Sequence, residues 1–424
     1  MDNERKERMK KTARVHLAME AKETLKRVEE DFPENPKAMD YFYGLYRRTY
    51  CDGTGAGSAK KIIGTTCVQV PEELIYAAGA VPMRLCSGAY AFDQIGADFM
   101  PAKSCPLIKA TLGMLHLGDL PFAGSLSLIV NPSTCDQKKK AGEMLEESGY
   151  KVHHLEMPPT KDSEEARAYW QRSVKQFSVR LEKVTGQKIT KRKLADAIAT
   201  ICAAQTAYRR MHALMKSPVP VLWGKDALLV TNAYFFDDIT NWTEAVTRLC
   251  DELEERKKQG FAAANKHAPR ILFTGSPPIF PNLKLPLLIE QAGGVLVADE
   301  VCSSSRLLHD MVVFDEENLY DMVPAVADRY LKPCTCPVFT SSTDRKRRLI
   351  DLAKSFDVDG IVYQSFAGCM PYELEQRTVG KAMSDAGIPM LSVETDYSSD
   401  DAGQLSTRVE AFIESLKARS RRRS

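Results

Sequence analysis

The sequence predicts an α/β protein whose core is a doubly wound parallel sheet. Three observations carry that prediction. Short apolar runs of strand length alternate with helical patterns between residues 61 and 160. The same alternation returns from Arg270 to the end of the chain. Between the two lies a long stretch with helical spacing and almost no Gly or Pro. Strands that alternate with helices pair in parallel, because each crossover helix returns the chain to the same sheet edge.

The elements follow in order. Met9 to Val28 carries alternating charge with Val15, Ala18, Met19 and Leu25 at helical spacing, and Pro33 and Pro36 end it. A Tyr-rich amphipathic piece, Met39 to Tyr50, leads to the loop Cys51-Asp-Gly-Thr-Gly-Ala-Gly. Those glycines precede a strand-like KIIG and do not follow a strand into a helix, so a hinge is expected there and not a nucleotide loop. Ile62 and Ile63 open the first α/β unit, and Cys67 sits just ahead of a helix begun by Pro71 with Glu72 and Glu73 in its first turn. Pro loses nothing at that position, and acids suit the positive end of the helix dipole. Strands are predicted at Val81–Leu85, Ser127–Val130 and Lys151–Leu155, and helices after Cys105-Pro106 and after Cys135-Asp136.

Ser163 to Met215 and Ala245 to Lys258 read as helical, with Pro218 and Pro220 between them. In the second unit the expected strands are Ile271–Thr274, Val295–Ala298, Gly360–Tyr363 and Met390–Val393. The helices are Leu283–Ala292, one ending near Leu331, Arg345–Phe356, one beginning at Cys369, and Gln404–Lys417. The basic tail ARSRRRS is expected to be disordered. The predicted divisions are an N-terminal helical segment (1–60), a first α/β lobe (61–160), a helical segment (161–266) and a second α/β lobe (267–424).

A chain of 424 residues exceeds one ordinary core, in keeping with several domains. A formal charge of +2 gives no reason to expect nucleic acid or an anionic membrane as partner. No apolar run reaches the ~18 residues of a membrane span. The charged start MDNERKERMKK lacks the apolar centre of a signal peptide, so a cytoplasmic location is expected. In a reducing compartment the eleven cysteines are not expected to form disulfides.

Their positions are ordered instead. Cys67, Cys105 and Cys135 lie in loops or at helix starts of the first unit. Cys302, Cys334 or Cys336, and Cys369 occupy comparable places in the second, and Cys67 and Cys369 each precede a Pro-X-Glu-Leu helix start. Ligands of open sheets gather beyond the carboxyl ends of the strands, where these cysteines fall. Cysteine is also a common small buried residue, and mid-helix Cys202 and Cys250 fit that plainer reading. Cys86 is read as a neighbour of the ligands and Cys51 is assigned to neither set. Structural zinc sites take ligands in close pairs, but there is no Cys-x-x-Cys and no HExxH here. Widely spaced thiolates from separate loops suit iron–sulfur clusters better. Three thiolates per half would hold one four-iron cubane each and leave one iron of each free for substrate or a bridge.

IIGTTCVQVPEELIYAAGAVPMRLCSG, SCPLIKA, TCDQKKKAGEML, VADEVC, RYLKPCTC and ETDYSSDDAGQLSTRVEAFIE together resemble the 2-hydroxyacyl-CoA dehydratase and benzoyl-CoA reductase family, and within it the branch of double-cubane cluster proteins. The resemblance runs from about residue 60 onward. It implies two flavodoxin-like lobes with a helical part, and two [4Fe-4S] cubanes joined by a sulfide as an [8Fe-9S] centre. The ligands would come from Cys67, Cys105, Cys135, Cys302, Cys334 or Cys336, and Cys369. It also implies a homodimer and an ATP-hydrolysing [4Fe-4S] activator that delivers low-potential electrons for reduction of a small substrate. The chain fits the receiving role, since it has no GxxxxGK[ST]. Lys138, Lys139 and Lys140 are read as offsetting cluster charge, lining a docking face or simply solvated. Glu300 and Glu373 are candidate proton donors. Two other readings stay open: a dehydratase subunit with a single [4Fe-4S] cluster, and a non-enzymatic electron carrier or cluster scaffold.

Overall fold

The computed structural model describes residues 3–54, 60–120 and 126–421. The apolar runs become two all-parallel four-stranded sheets. The first contains β1 (Ile62–Thr65), β2 (Val81–Arg84), β3 (Leu126–Pro132) and β4 (Val152–Leu155), in the order β2-β1-β3-β4. The second contains β5 (Arg270–Gly275), β6 (Val295–Glu300), β7 (Gly360–Phe366) and β8 (Met390–Thr395), in the order β6-β5-β7-β8. The two orders are the same, so the lobes repeat one flavodoxin-like plan. In each, the chain steps outward on one side and then reverses, which leaves a switch point between β1 and β3 and between β5 and β7. β1, β5 and β7 are buried along their whole lengths, as strands covered on both faces must be.

The helical stretch from Ser163 is two helices, Glu164–Thr185 and Lys191–Leu214. Gly186, at φ 74°, ends the first, and Thr190 caps the second by accepting from the Lys193 amide. The next helix, Ile239–Lys258, starts earlier than Ala245 because Asp238 caps it, accepting from the Thr240 and Asn241 amides. The helices Gly224–Ala233 and Tyr90–Gly96 have no counterpart in the sequence reading. The N-terminal helix, Asn3–Glu30, spans both lobes. Its Glu20 accepts from the Tyr90 and Ala91 amides at 2.9 Å, and its Thr24 donates to the Pro281 carbonyl at 2.9 Å.

Two expectations change. The last helix, Ala402–Arg421, takes in most of the tail expected to be disordered, because Ala and Arg are strong helix formers and basic residues suit a helix C-terminus. The Tyr-rich piece is an α-helix, Met39–Tyr46, followed by a π-helical turn, Arg47–Cys51. The hinge expected of the glycine loop falls partly on residues 55–59, outside the described residues, as are 422–424 of the tail.

The lobes meet edge to edge through glycines. A Cβ on Gly368 would lie 1.8 Å from the Lys103 carbonyl oxygen, and Gly368 itself sits at φ 78°. A Cβ on Gly88 would lie 1.8 Å from the Ile279 carbonyl oxygen. No side chain fits at either point, so the backbones of the two lobes touch directly there.

Two half-buried histidines make the fold acid-sensitive. Burial pushes His212 down to about 3, helped by His309, Lys216 and Arg348, and His153 down to about 4, helped by Arg180 and His154. Both are depressed, so the unfolded chain binds protons that the folded chain refuses as pH falls below about 6.5. Stability should therefore drop by up to about 1.4 kcal/mol per pH unit for each group below that point. His212 stacks on Tyr208 and lies tilted against Phe356 and its Nε2 has no partner, so His212→Phe keeps the packing. Its denaturant midpoint should fall less than that of the wild type between pH 6.5 and 4; an unchanged slope would refute this assignment.

Candidate metal centre

The sheet order puts the cysteines on facing edges. Cys67 follows β1, and Cys135 follows β3 and precedes the helix Asp136–Glu147. Cys105 precedes the helix Pro106–Leu117, and Cys369 follows β7 and precedes the helix Met370–Asp385; each of these helices has Pro in its first turn. Cys302 follows β6. Cys334 and Cys336 follow the helix Leu319–Leu331.

Lobe apposition brings these loops together. The Cys105 and Cys369 thiols interact across the interface. Gln137 fastens the same pair of loops, accepting from the Cys105 amide at 2.9 Å and donating to the Gly368 carbonyl at 2.8 Å. Gln69, two residues beyond Cys67, donates its side-chain amide to the Cys334 sulfur. Cys67 interacts electrostatically with Cys135 in its own lobe and with Cys302, Cys334 and Cys336 in the other. All seven cysteines singled out from the sequence thus meet in one interlobe group. Cys86, which donates to the Thr66 carbonyl at 3.7 Å, joins them through its interactions with Lys138 and Cys302. Cys202 and Cys250 stand apart; Cys250 is buried and donates to the Ala207 carbonyl.

Charge around the thiols is positive and incompletely paired. Burial raises the Cys67 pKa, but Lys138, Arg84 and the Gln69 and Val68 amides outweigh it and leave the thiol below its ordinary value. Lys138 donates to the Thr66 carbonyl; burial disfavours its charge, but Cys67, Cys86 and Cys135 hold it above the ordinary lysine value. Lys139 and Lys140 instead pair outward with Asp136 and Glu143. Of the three lysines, only Lys138 serves the group. Arg84 ends β2 with its side chain 5% exposed, 3.7 Å from Glu72, and two of its guanidinium nitrogens have no hydrogen-bond partner. A buried guanidinium with idle N–H groups is uncommon and is resolved by an anion.

Five of the other thiols are held toward the protonated form. Burial pushes Cys302 up to about 12 and raises Cys135, Cys334 and Cys336, while the interaction with Cys105, with burial, raises Cys369. Metal binding here would release those protons.

The two acids proposed for proton delivery have other partners. Glu300 is fully buried, and Arg306 Nε and Nη2 donate to its two oxygens at 2.6 and 2.8 Å. Arg345 Nη1 lies 2.7 Å from it, and the Thr274 and Thr335 hydroxyls also donate to it. Arg345 reaches on to Glu375 at 2.8 Å, and Arg306 donates to the Tyr372 hydroxyl at 2.7 Å. Glu300 is therefore the counter-ion of two arginines just behind Cys302. Glu373 accepts from the Gly368 amide at 2.5 Å and so braces the turn before Cys369. Glu375, which sequence reasoning missed, is raised to about 8 by burial. Glu72 and Glu73 are also buried; Tyr234 donates to Glu72 at 3.0 Å and Tyr330 to Glu73 at 2.9 Å. Their place beside Cys67 in sequence marked a helix start but not this buried network.

Among the described residues, no three of His, Cys, Asp and Glu converge closely enough to hold a single metal ion. Thiolates that each bind a different iron of a cluster do not need to converge on one point. The donor set, thiols only and bordered by Lys138, Arg84 and Arg306, fits an anionic iron–sulfur group.

The two lobes repeat one strand order, in which Cys135 after β3 matches Cys369 after β7 and Cys302 after β6 matches Cys86 after β2. The chain belongs to the 2-hydroxyacyl-CoA dehydratase and benzoyl-CoA reductase family, since the family model for the 2-hydroxyglutaryl-CoA dehydratase D-component matches residues 67–416. It is 32% identical over 361 residues to YjiM of Escherichia coli (strain K12), provisionally named a dehydratase subunit, covering 84% of this chain and 91% of that one. It is 24% identical to the (R)-phenyllactyl-CoA dehydratase beta subunit of Clostridium sporogenes, covering 91% and 97%. The (R)-2-hydroxyglutaryl-CoA dehydratase subunit beta of Acidaminococcus fermentans is 25% identical, covering 84% and 93%. Among the described residues no helix is long and apolar enough to cross a membrane.

Proposed function

We propose that this protein is an iron–sulfur reductase component that accepts low-potential electrons from an ATP-hydrolysing [4Fe-4S] activator and reduces a small substrate. The observation that carries the proposal is the gathering of seven thiols from loops of two lobes that share one strand order. In this reading Cys67, Cys105, Cys135, Cys302, Cys369 and one of Cys334 and Cys336 hold an [8Fe-9S] double cubane, which supplies one-electron steps at low potential when bound. Gln69 on Cys334, and nothing comparable on Cys336, favours Cys336 as the freer ligand. Lys138 and Arg84 offset the negative charge of the thiolate group on the first-lobe side. Arg306, anchored by Glu300, does so on the second. Gln137 and the glycine contacts keep the two sets of loops at fixed separation and exclude water between them. Glu300 and Glu375 are both paired with buried arginines, so their carboxyls balance charge behind Cys302. The protein would act as a homodimer in a reducing cytoplasm.

The coarser alternative is a dehydratase subunit with one [4Fe-4S] cluster beside a non-identical partner, which the beta-subunit relatives favour. Metal and sulfide analysis of anaerobically purified protein decides between them. About eight irons per chain, with EPR signals that appear on reduction, is the expected result; about four irons would select the dehydratase subunit. Zinc, or no metal, would sink both. A pure carrier or scaffold would show iron without activator-dependent turnover.

A further inference from the structure

The repeat of the two lobes extends from their strands to the places of four cysteines. Cys86 is the second residue after β2, and Cys302 is the second after β6. Cys135 is the third after β3, and Cys369 is the third after β7. β2 and β6 are the edge strands on the same side of their sheets, and β3 and β7 lie across the switch point. A helix starts within four residues of each of these cysteines. Cys135, Cys302 and Cys369 belong to the ligand set proposed above. Cys86 is the fourth corner of the repeat and the one without a role.

Its surroundings suit a thiolate better than a packing residue. The Thr66 carbonyl, next to Cys67, accepts from the Cys86 thiol at 3.7 Å and also from Lys138 Nζ, so sulfur and ammonium converge on one atom. Arg84, two residues earlier, has a side chain 5% exposed and two guanidinium nitrogens without a hydrogen-bond partner. A buried guanidinium in that state calls for an anion. Cys86 and Arg84 both act on Cys302 across the lobe boundary. Cys86 and Cys51 are half-buried and line one cavity of about 310 Å³, so a small reagent reaches both from solvent.

We infer that Cys86 is a further metal ligand, which with Cys135 forms the first-lobe counterpart of the Cys302–Cys369 pair. Three thiolates leave one iron of a cubane open, and Cys86 is the first-lobe sulfur placed to close it. Binding replaces the S–H bond by a sulfur–iron bond and releases one proton, with no change of oxidation state. Lys138 offsets the charge that this thiolate adds. The inference rests on the iron–sulfur part of the proposed function, but not on the activator or on the reduction of a substrate.

Differential alkylation of the full-length wild type tests this without a variant. Anaerobically purified protein, and the same protein stripped of iron with bipyridyl, are treated with iodoacetamide, and each cysteine is read by peptide mass spectrometry. A thiolate bound to metal is not free to attack, so labelling of Cys86 should be roughly tenfold lower with iron than without. Cys51, on the same cavity, should label equally in both. Cys86→Ser should load iron on the remaining thiols but lose it to bipyridyl roughly tenfold faster than wild type, at least the effect of losing an outer-shell partner. Equal labelling of Cys86 with and without iron overturns the inference, whether or not the variant folds. Protection of Cys86 together with a wild-type rate of iron release in Cys86→Ser also overturns it, since that is shielding without a bond. Iron is counted in every sample. Wild type that holds no iron ends the reductase reading and this inference together, whereas iron with an unprotected Cys86 ends the inference alone.

Discussion

Replacing Cys67, Cys105 or Cys369 by Ser should each lower the iron content of anaerobically purified protein by about half, from about eight to about four irons per chain. A serine hydroxyl is a hard oxygen donor with a far higher pKa than a thiol and does not replace a thiolate on iron. Cys67 should be the most sensitive, since Lys138 and Arg84 already favour its thiolate and its loop meets Cys135, Cys302, Cys334 and Cys336. Cys105→Ser and Cys369→Ser also break the thiol–thiol contact that joins the lobes. Cys202→Ser is the control; it lies away from the group and should keep full iron. Equal iron in all four variants, by metal analysis and by integrated EPR signal, would rule out this ligand set.

Glu300→Gln should destabilise the protein by about 3–5 kcal/mol, because it leaves Arg306 and Arg345 buried with only Glu375 between them. The shape of the side chain is kept, so the loss is of charge compensation and not of packing. Iron loading should fall with it, since Arg306 stands against Cys302 and Cys336. Urea unfolding of the variant beside wild type gives the comparison. A proton donor would behave differently: stability would hold and only turnover would drop. Unchanged stability in Glu300→Gln would return Glu300 to that role.

Much of this was legible in the residues. Strand and helix alternation, the Pro-initiated helices after Cys105 and Cys369, and the repeated spacing of the cysteines are local signals, and they placed every strand within a few residues. Elements without a periodic apolar stripe or a helix-start signal, such as Tyr90–Gly96, were not readable, because Ala89 offers no capping side chain and the first amides of that helix donate to Glu20 from another segment. Glu300 and Glu373 sit near cysteines in sequence, which suggested chemistry. Their partners, Arg306, Arg345 and the Gly368 amide, assign them to charge compensation and turn geometry instead. Glu375 lies six residues after Cys369, past the first turn of its helix, and Arg345 nine after Cys336, so neither stood out as a cysteine's neighbour.

The sequence by itself determined the α/β class, the repeat of one plan in two lobes, and that the cysteines lie in loops or at helix starts, because periodicity and helix starts are written locally. Tertiary structure alone decided that those loops come together, through two glycines whose backbones touch the opposite lobe. It also decided which of three lysines turns inward, and that Arg84 is buried with idle N–H groups beside Cys67. Those outcomes depend on contacts between residues far apart in the chain, which no local pattern encodes.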